Sequence, residues 1–177
     1  MIATGLHLAE AVVAALNERN PGLVVAKLFA LVAVLGTAVV YGTDVFCAMV
    51  QRRALAHVDD RTLLAVMGNI HRYGDRRMPV PGVLGVMAAV ISAALAAVFG
   101  GWRQAAAPGV AAGLLLVWLV IYLRVSKPIN RQLTAAADHP APSTDARALQ
   151  RHWDKVITGR ATLQGLAVAA LCLTLLI

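Results

Sequence analysis

Charge is scarce in this chain, and acid scarcest of all. Nine Asp and Glu stand against sixteen Lys and Arg, and charged residues make up only 14% of 177, while hydrophobic ones make up 59%. A soluble domain of this size cannot clothe itself with so little polar surface, which excludes that class and implies an integral membrane protein. Cysteine is nearly missing: Cys47 and Cys172 lie in apolar runs at depths about 10 Å apart by helical rise, so both read as buried thiols and no disulfide is expected. The basic start and small-residue cleavage site of a secretory signal are missing, as is any internal repeat. A patch of basic charge is missing too. The net charge of +7 is spread beside apolar runs, which points to membrane topology and away from nucleic acid.

What is present is four apolar runs, at about 28–50, 79–99, 105–125 and 161–177, the first long enough to reach roughly 30 Å as a helix. Asn20-Pro21-Gly22 is read as a break before the first run, and Gly100-Gly101 separates the second from the third, whose first turn holds Pro108. Three amphipathic helices are expected in the membrane interface, at about 2–17, 60–73 and 145–160. In the second, capped by Asp59 or Asp60 and ended by Gly74, the inward stripe is Leu63, Val66, Met67, Ile70 and Tyr73. In the third, capped by Ser143 or Thr144, Trp153 and Arg160 share one face and Arg147, Gln150, Arg151 and Asp154 the other; this helix continues directly into the last run. Lys127-Pro128-Ile129-Asn130 is expected to interrupt the helix of the third run. The fold class is therefore all-α, a membrane four-helix bundle in a single domain, with amphipathic interfacial helices on the cytoplasmic side. Thirteen of the sixteen Lys and Arg fall in the two longer polar segments, which places those in the cytoplasm and both termini outside.

Asp44 is the residue out of place. It lies inside the first run with Thr37, Tyr41 and Ala48 on its helical face, and an acid there costs on the order of 3 kcal/mol on insertion scales, so it should face the bundle interior. By helical rise, Asp44, Trp118 and Gln164 come to similar depths of roughly 6 to 10 Å from the cytoplasmic boundary. Gly82 and Gly85 are nearby, Tyr41 is deeper, and Tyr122, Arg160, Asn130, Trp153 and His71 are shallower, around a rim. Two readings follow: a pocket with Asp44 in its wall, or polar groups that satisfy one another and hold the helices in register. The small residues likewise either let helices approach or leave room for a ligand.

The chain resembles the anthrone-oxygenase-like group of small four-span membrane proteins through Thr43-Asp44-Val45-Phe46, Pro128-Ile129-Asn130, and Trp153 followed by Arg160. The resemblance implies oxidation of polyketide anthrones to anthraquinones without metal or flavin, as linked to some fungal members, and it assigns no catalytic residue to a position here. Such chemistry needs a base for an acidic C–H, donors for the enolate, and a dry pocket for O₂. Asp44 or His71 could be the base; Arg160, Asn130 and Tyr41 could donate; Trp118 or Trp153 could stack on a planar polycycle, with Tyr122 and Gln164 completing the wall. No cofactor is expected: no His lies mid-span for haem, the Glu-x-x-His pairs of di-iron bundles are missing, and no cysteine reads as activated. The alternative is a non-catalytic membrane protein that binds a small lipophile or a partner protein, with transport a weaker third. The partners expected are the lipid bilayer and a lipophilic small molecule, with no nucleic acid.

Overall fold

The computed structural model describes residues 20–139 and 145–177, all of whose regular elements are helical. The expected interfacial helix at 2–17 lies outside the described residues, as do Ser143 and Thr144. Helix α1 (Pro21–Leu55) opens at the tripeptide read as a break: the Asn20 side chain accepts from Gly22 N at 3.0 Å, and Pro21 occupies a first-turn position whose N–H has no helical partner to lose. A proline after a capping side chain starts a helix here, so the helix begins seven residues before the expected span.

The inward face of α1 is made of small residues. Ala26, Ala30, Ala33 and Thr37 are buried, while Leu28, Leu31, Leu35 and Val39 stay exposed on the outer side. In water this would be inside out. In lipid, which solvates leucine as well as a protein core does, helices associate by close packing, and small side chains are what permit it. A Cβ added at Gly36 would meet Pro81 O at 2.8 Å, and one at Gly85 would meet Thr37 Oγ1 at 2.7 Å, so both glycines are at backbone-to-backbone contacts. Cys172 is exposed on the outer side of its helix, against the expectation that both thiols are buried; Cys47 is buried.

Helix α2 (Asp60–Arg77) is capped by Asp59, which accepts from Thr62 N at 2.8 Å. It runs through Gly74, which keeps helical φ and whose carbonyl accepts from Met78 N at 2.8 Å, so the expected end at Gly74 is corrected to Arg77. The expected inward stripe is also corrected. Leu63, Met67, Gly68 and His71 are buried, whereas Val66, Ile70 and Tyr73 are exposed. The reason is at Gly68, where a Cβ would overlap that of Ala137 and come within 2.9 Å of Leu133 O. Close approach of two backbones fixes which face turns in, and of the residues left more exposed Ile70 lines the cavity described below.

After the single residue Met78, a helical segment runs from Pro79 to Asp138, but it is not straight. Gly101 has φ 76° and ψ −173°, outside any helix and in a region open essentially to glycine alone. A straight helix would hold Gly82 and Trp118 about 54 Å apart. Instead a Cβ at Gly82 would touch the Trp118 ring at 3.4 Å, so the chain doubles back at Gly101 into α3 (79–100) and α4 (102–138). This start puts Pro108 in the second turn of α4, one turn later than expected.

The interruption expected at Lys127–Asn130 does not occur. Residues Tyr122–Ser126 form a turn of π-helix, and α-helix resumes at Lys127 and continues to Asp138 with Pro128 in its first positions. The wider turn accommodates the extra residue, and with it the proline, without ending the helix. A second π turn, Cys47–Gln51, interrupts α1 just past Asp44. Helix α5 (Ala146–Leu176) is continuous from the polar segment through the last apolar run, capped by Asp145, which accepts from Ala148 N at 2.7 Å. Gln150 is buried on its inner face, and Arg147 is half-buried, bonded to Leu55 O at 2.9 Å and to Val58 O; the outer face expected for both is corrected. Arg147 thereby satisfies the last carbonyl of α1, and one in the turn after it, which no helical donor reaches.

Two apolar cores result. One, with Ala30, Val86, Ala89, Leu115 and Leu171, binds α1, α3, α4 and α5; the other, with Leu63, Met67, Ile129, Leu133 and Ile157, binds α2 and the far ends of α1, α4 and α5 into a cap. Three helical segments, Pro21–Leu55, Pro79–Asp138 and Ala146–Leu176, are long and apolar enough to cross a bilayer. The protein is an all-α helical bundle embedded in the membrane in several passes.

Candidate functional site

Between the two cores lies a cavity of about 290 Å³, at the low end of the roughly 300–1,000 Å³ usual for small-molecule sites. Its deep wall is a buried ion pair. Arg160 Nη2 lies 3.0 Å from each carboxylate oxygen of Asp44, Arg160 Nη1 donates to Ser126 Oγ at 2.8 Å, and Gln164 Nε2 donates to Asp44 Oδ2 at 2.6 Å. All four side chains are buried. A charge in such a place is tolerable only when paired and hydrogen-bonded, and each element supplies one part: α1 the acid, α5 the base and the amide, the π turn of α4 the hydroxyl. The Arg160 guanidinium also sits 5.9 Å from the centroid of Trp118 and 5.6 Å from that of Tyr122, whose rings stack 6.0 Å apart.

On the opposite wall, His71 packs against Trp153 with ring centroids 5.6 Å apart. Burial pushes the His71 imidazole down to about 4, with the charge of Arg160 acting in the same direction and that of Asp75 against it, so the ring is neutral at physiological pH. Beside it on α2, Asp75 accepts at Oδ1 from Tyr122 Oη at 3.1 Å and from Asn130 Nδ2 at 2.9 Å. The third side is soft and uncharged: Cys47 Sγ donates to Gln51 Oε1 at 2.7 Å, and Gln51 Nε2 in turn to Met67 Sδ at 2.9 Å.

Of the residues singled out in the sequence, Asp44, His71, Trp118, Tyr122, Asn130, Trp153 and Arg160 line this cavity. Tyr41 and Gln164 do not. The Tyr41 ring lies against Gly165, where a Cβ would come within 3.2 Å of it, so its expected place as a donor in the pocket is corrected: a notch on α5 holds it outside. Gln164 stands behind Asp44 and reaches the cavity only through it. The two glycines divide the readings open to them, Gly85 serving close packing and Gly82 lining the cavity beneath Trp118. Asp75, Cys47 and Gln51 were missed. The one signal for Asp75 was its position four residues after His71, on the same helical face.

Five buried polar atoms of cavity-lining side chains have no hydrogen-bond partner: His71 Nε2, Trp118 Nε1, Trp153 Nε1, Arg160 Nε and Asn130 Oδ1. Native interiors satisfy nearly all such groups, so these atoms, spread over two facing walls of the cavity, are free to bond to whatever occupies it. Three are N–H donors whatever their surroundings, which favours a ligand rich in acceptors. Among the described residues no three His, Cys, Asp or Glu side chains gather in a metal-binding arrangement.

No curated protein and no solved structure matches the chain. The anthrone oxygenase family does match, over residues 69–172, a stretch that carries His71, Asp75, Trp118, Tyr122, Asn130, Trp153 and Arg160 and leaves out Asp44 and the rest of α1. Because that match covers more than half of the sequence, the chain belongs to the anthrone oxygenase family.

Proposed function

We propose that this protein is a membrane oxygenase that binds a planar, lipophilic aromatic ketone of the anthrone type in the cavity and oxidises its methylene group with O₂. The observation that carries this reading is the set of unpaired donors, Trp118 Nε1, Trp153 Nε1 and Arg160 Nε, around a cavity whose lining is mostly apolar. A ketone whose CH₂ is activated by two flanking rings gives up a proton to a base, and the C–H electron pair moves to the ketone oxygen as an enolate. Fixed N–H donors in a site shielded from water stabilise that oxyanion more strongly than water does. O₂ accepts the electrons; one oxygen atom becomes the new carbonyl and the other leaves as water with the two methylene hydrogens. The wall residues supply acid–base and oxyanion chemistry for this sequence, and no cofactor enters it.

In this reading Arg160 carries the positive charge that faces the enolate, Asp44 and Ser126 hold it in place, and His71, Trp118, Tyr122 and Trp153 frame the polycycle. The chain forms a single domain that crosses the bilayer four times, α3 and α4 being separate crossings joined at Gly101. In this reading the cap of α2 and the far ends of α4 and α5 faces the cytoplasm, the side that the concentration of Arg and Lys there favours. Purified protein, assayed for bound metal and flavin, should consume O₂ stoichiometrically with anthrone and release anthraquinone. Binding of anthrone without O₂ uptake would favour the second reading, a non-catalytic carrier of lipophiles, which the same cavity supports.

A further inference from the structure

We infer that Asp75 is the proton acceptor of this site, a role that rests on the oxygenase reading above. The sequence pointed to Asp44 or His71, but the geometry sets both aside. Each oxygen of Asp44 already accepts, Oδ1 from Arg160 and Oδ2 from Gln164, with Arg160 equidistant from the two. Its charge is committed to a buried cation. His71 has a free Nε2, yet taking a proton there creates an imidazolium that is 5% exposed, in a cavity that already carries Arg160 on its facing wall. Two buried cations would then share one small space, at a desolvation cost that a carboxylate accepting the same proton does not incur.

Asp75 has neither problem. It lines the cavity, both of its donors converge on Oδ1, and Oδ2 has no hydrogen-bond partner among the described residues. Tyr122 and Asn130, about two turns apart on α4, thus fix the carboxylate and leave one oxygen for a ligand; they are positioning residues. The charge balance also favours it. The C–H bond breaks, its proton goes to Asp75 Oδ2, and its electron pair goes to the ketone oxygen. The negative charge therefore moves from one wall toward Arg160 and the indole N–H groups, and no new charge is created in the cavity. Asp75 is half-buried, so the carboxyl group also has a path to exchange its proton with solvent.

Proton abstraction can be read without oxygenation, as anaerobic exchange of the anthrone methylene hydrogens with D₂O. Full-length protein in detergent should accelerate that exchange over buffer. Asp75→Asn should fold, keep the quenching of tryptophan fluorescence by anthrone, and lose the acceleration by about 10²-fold or more, the usual contribution of a positioned base. Should Asp75→Asn not fold, Asn130→Ala decides, because it removes one fixing donor and keeps the carboxylate. Exchange slowed about tenfold with quenching retained would support the inference, that being the scale of one hydrogen bond to a charged group. Exchange at the wild-type rate in whichever variant folds would overturn it, while O₂ uptake by the wild type would leave the oxygenase reading standing. No acceleration and no O₂ uptake by the wild type would overturn both.

Discussion

Arg160 on α5 lies 3.0 Å from both carboxylate oxygens of Asp44 on α1, joining two helices 116 residues apart in the chain through the only charges buried at that depth among the described residues. Removing one partner leaves the other charged and unpaired. Asp44→Leu and Arg160→Met should therefore each destabilise the protein by roughly 3 to 5 kcal/mol, whereas the double variant Asp44→Leu/Arg160→Met should recover most of the loss. Melting temperatures of the three variants in detergent form the cycle. Additive losses would mean that the pair does not act as a unit.

His71 gives the stability a pH dependence of known sign. Its folded value is lowered to about 4 from 6.5, so between those two values the unfolded chain binds a proton that the folded chain does not. Stability is therefore unaffected by this group above about pH 6.5, falls as pH drops toward 4, and levels off below. The full effect is about 3 kcal/mol. His71→Gln should lack this component, so the difference in melting temperature between it and the wild type should change sharply across that window. A constant difference from pH 7 to pH 4 would contradict a buried neutral ring.

The reversal at Gly101 can be separated from packing, since a Cβ there meets nothing within 4 Å. Gly101→Ala should cost roughly 1 to 3 kcal/mol from backbone strain alone. Gly113, equally open but helical, should gain roughly 0.5 to 1 kcal/mol on change to Ala. Thermal melts of the two variants in parallel test the point. If Gly101→Ala proves as stable as Gly113→Ala, the chain does not turn at that residue.

Orientation is testable on a background in which Cys47 and Cys172 are alanine. Ala135, exposed on the α4 extension, and Trp102, which is 77% exposed beside the Gly101 turn, lie at opposite ends of the bundle. In intact cells an impermeant thiol reagent should label Trp102→Cys and spare Ala135→Cys. The reverse pattern would turn the cavity toward the outside.

Composition and hydropathy alone determined that this is an all-α membrane protein, because burial in lipid is dictated residue by residue and helices are local. They also brought out Asp44, since a charge in an apolar run is conspicuous without any knowledge of its partner. Which side of a helix turns inward was a different matter. For α2 the expected stripe splits, Leu63 and Met67 buried but Val66, Ile70 and Tyr73 exposed, because the contact of Gly68 with α4 can be made only one way. The π turns at Cys47–Gln51 and Tyr122–Ser126 shift the register of every residue after them, so helical counting lost its phase just where the site begins. Asp75 shows the limit most plainly. In sequence it is one acid in a polar stretch, the ordinary mark of a solvated face. Only folding brings Tyr122 and Asn130, 47 and 55 residues away, onto one of its oxygens. Hydrogen bonds over such separations depend on how helices pack, and in a membrane that packing is decided by small residues and shape, which hydrophobic periodicity does not encode.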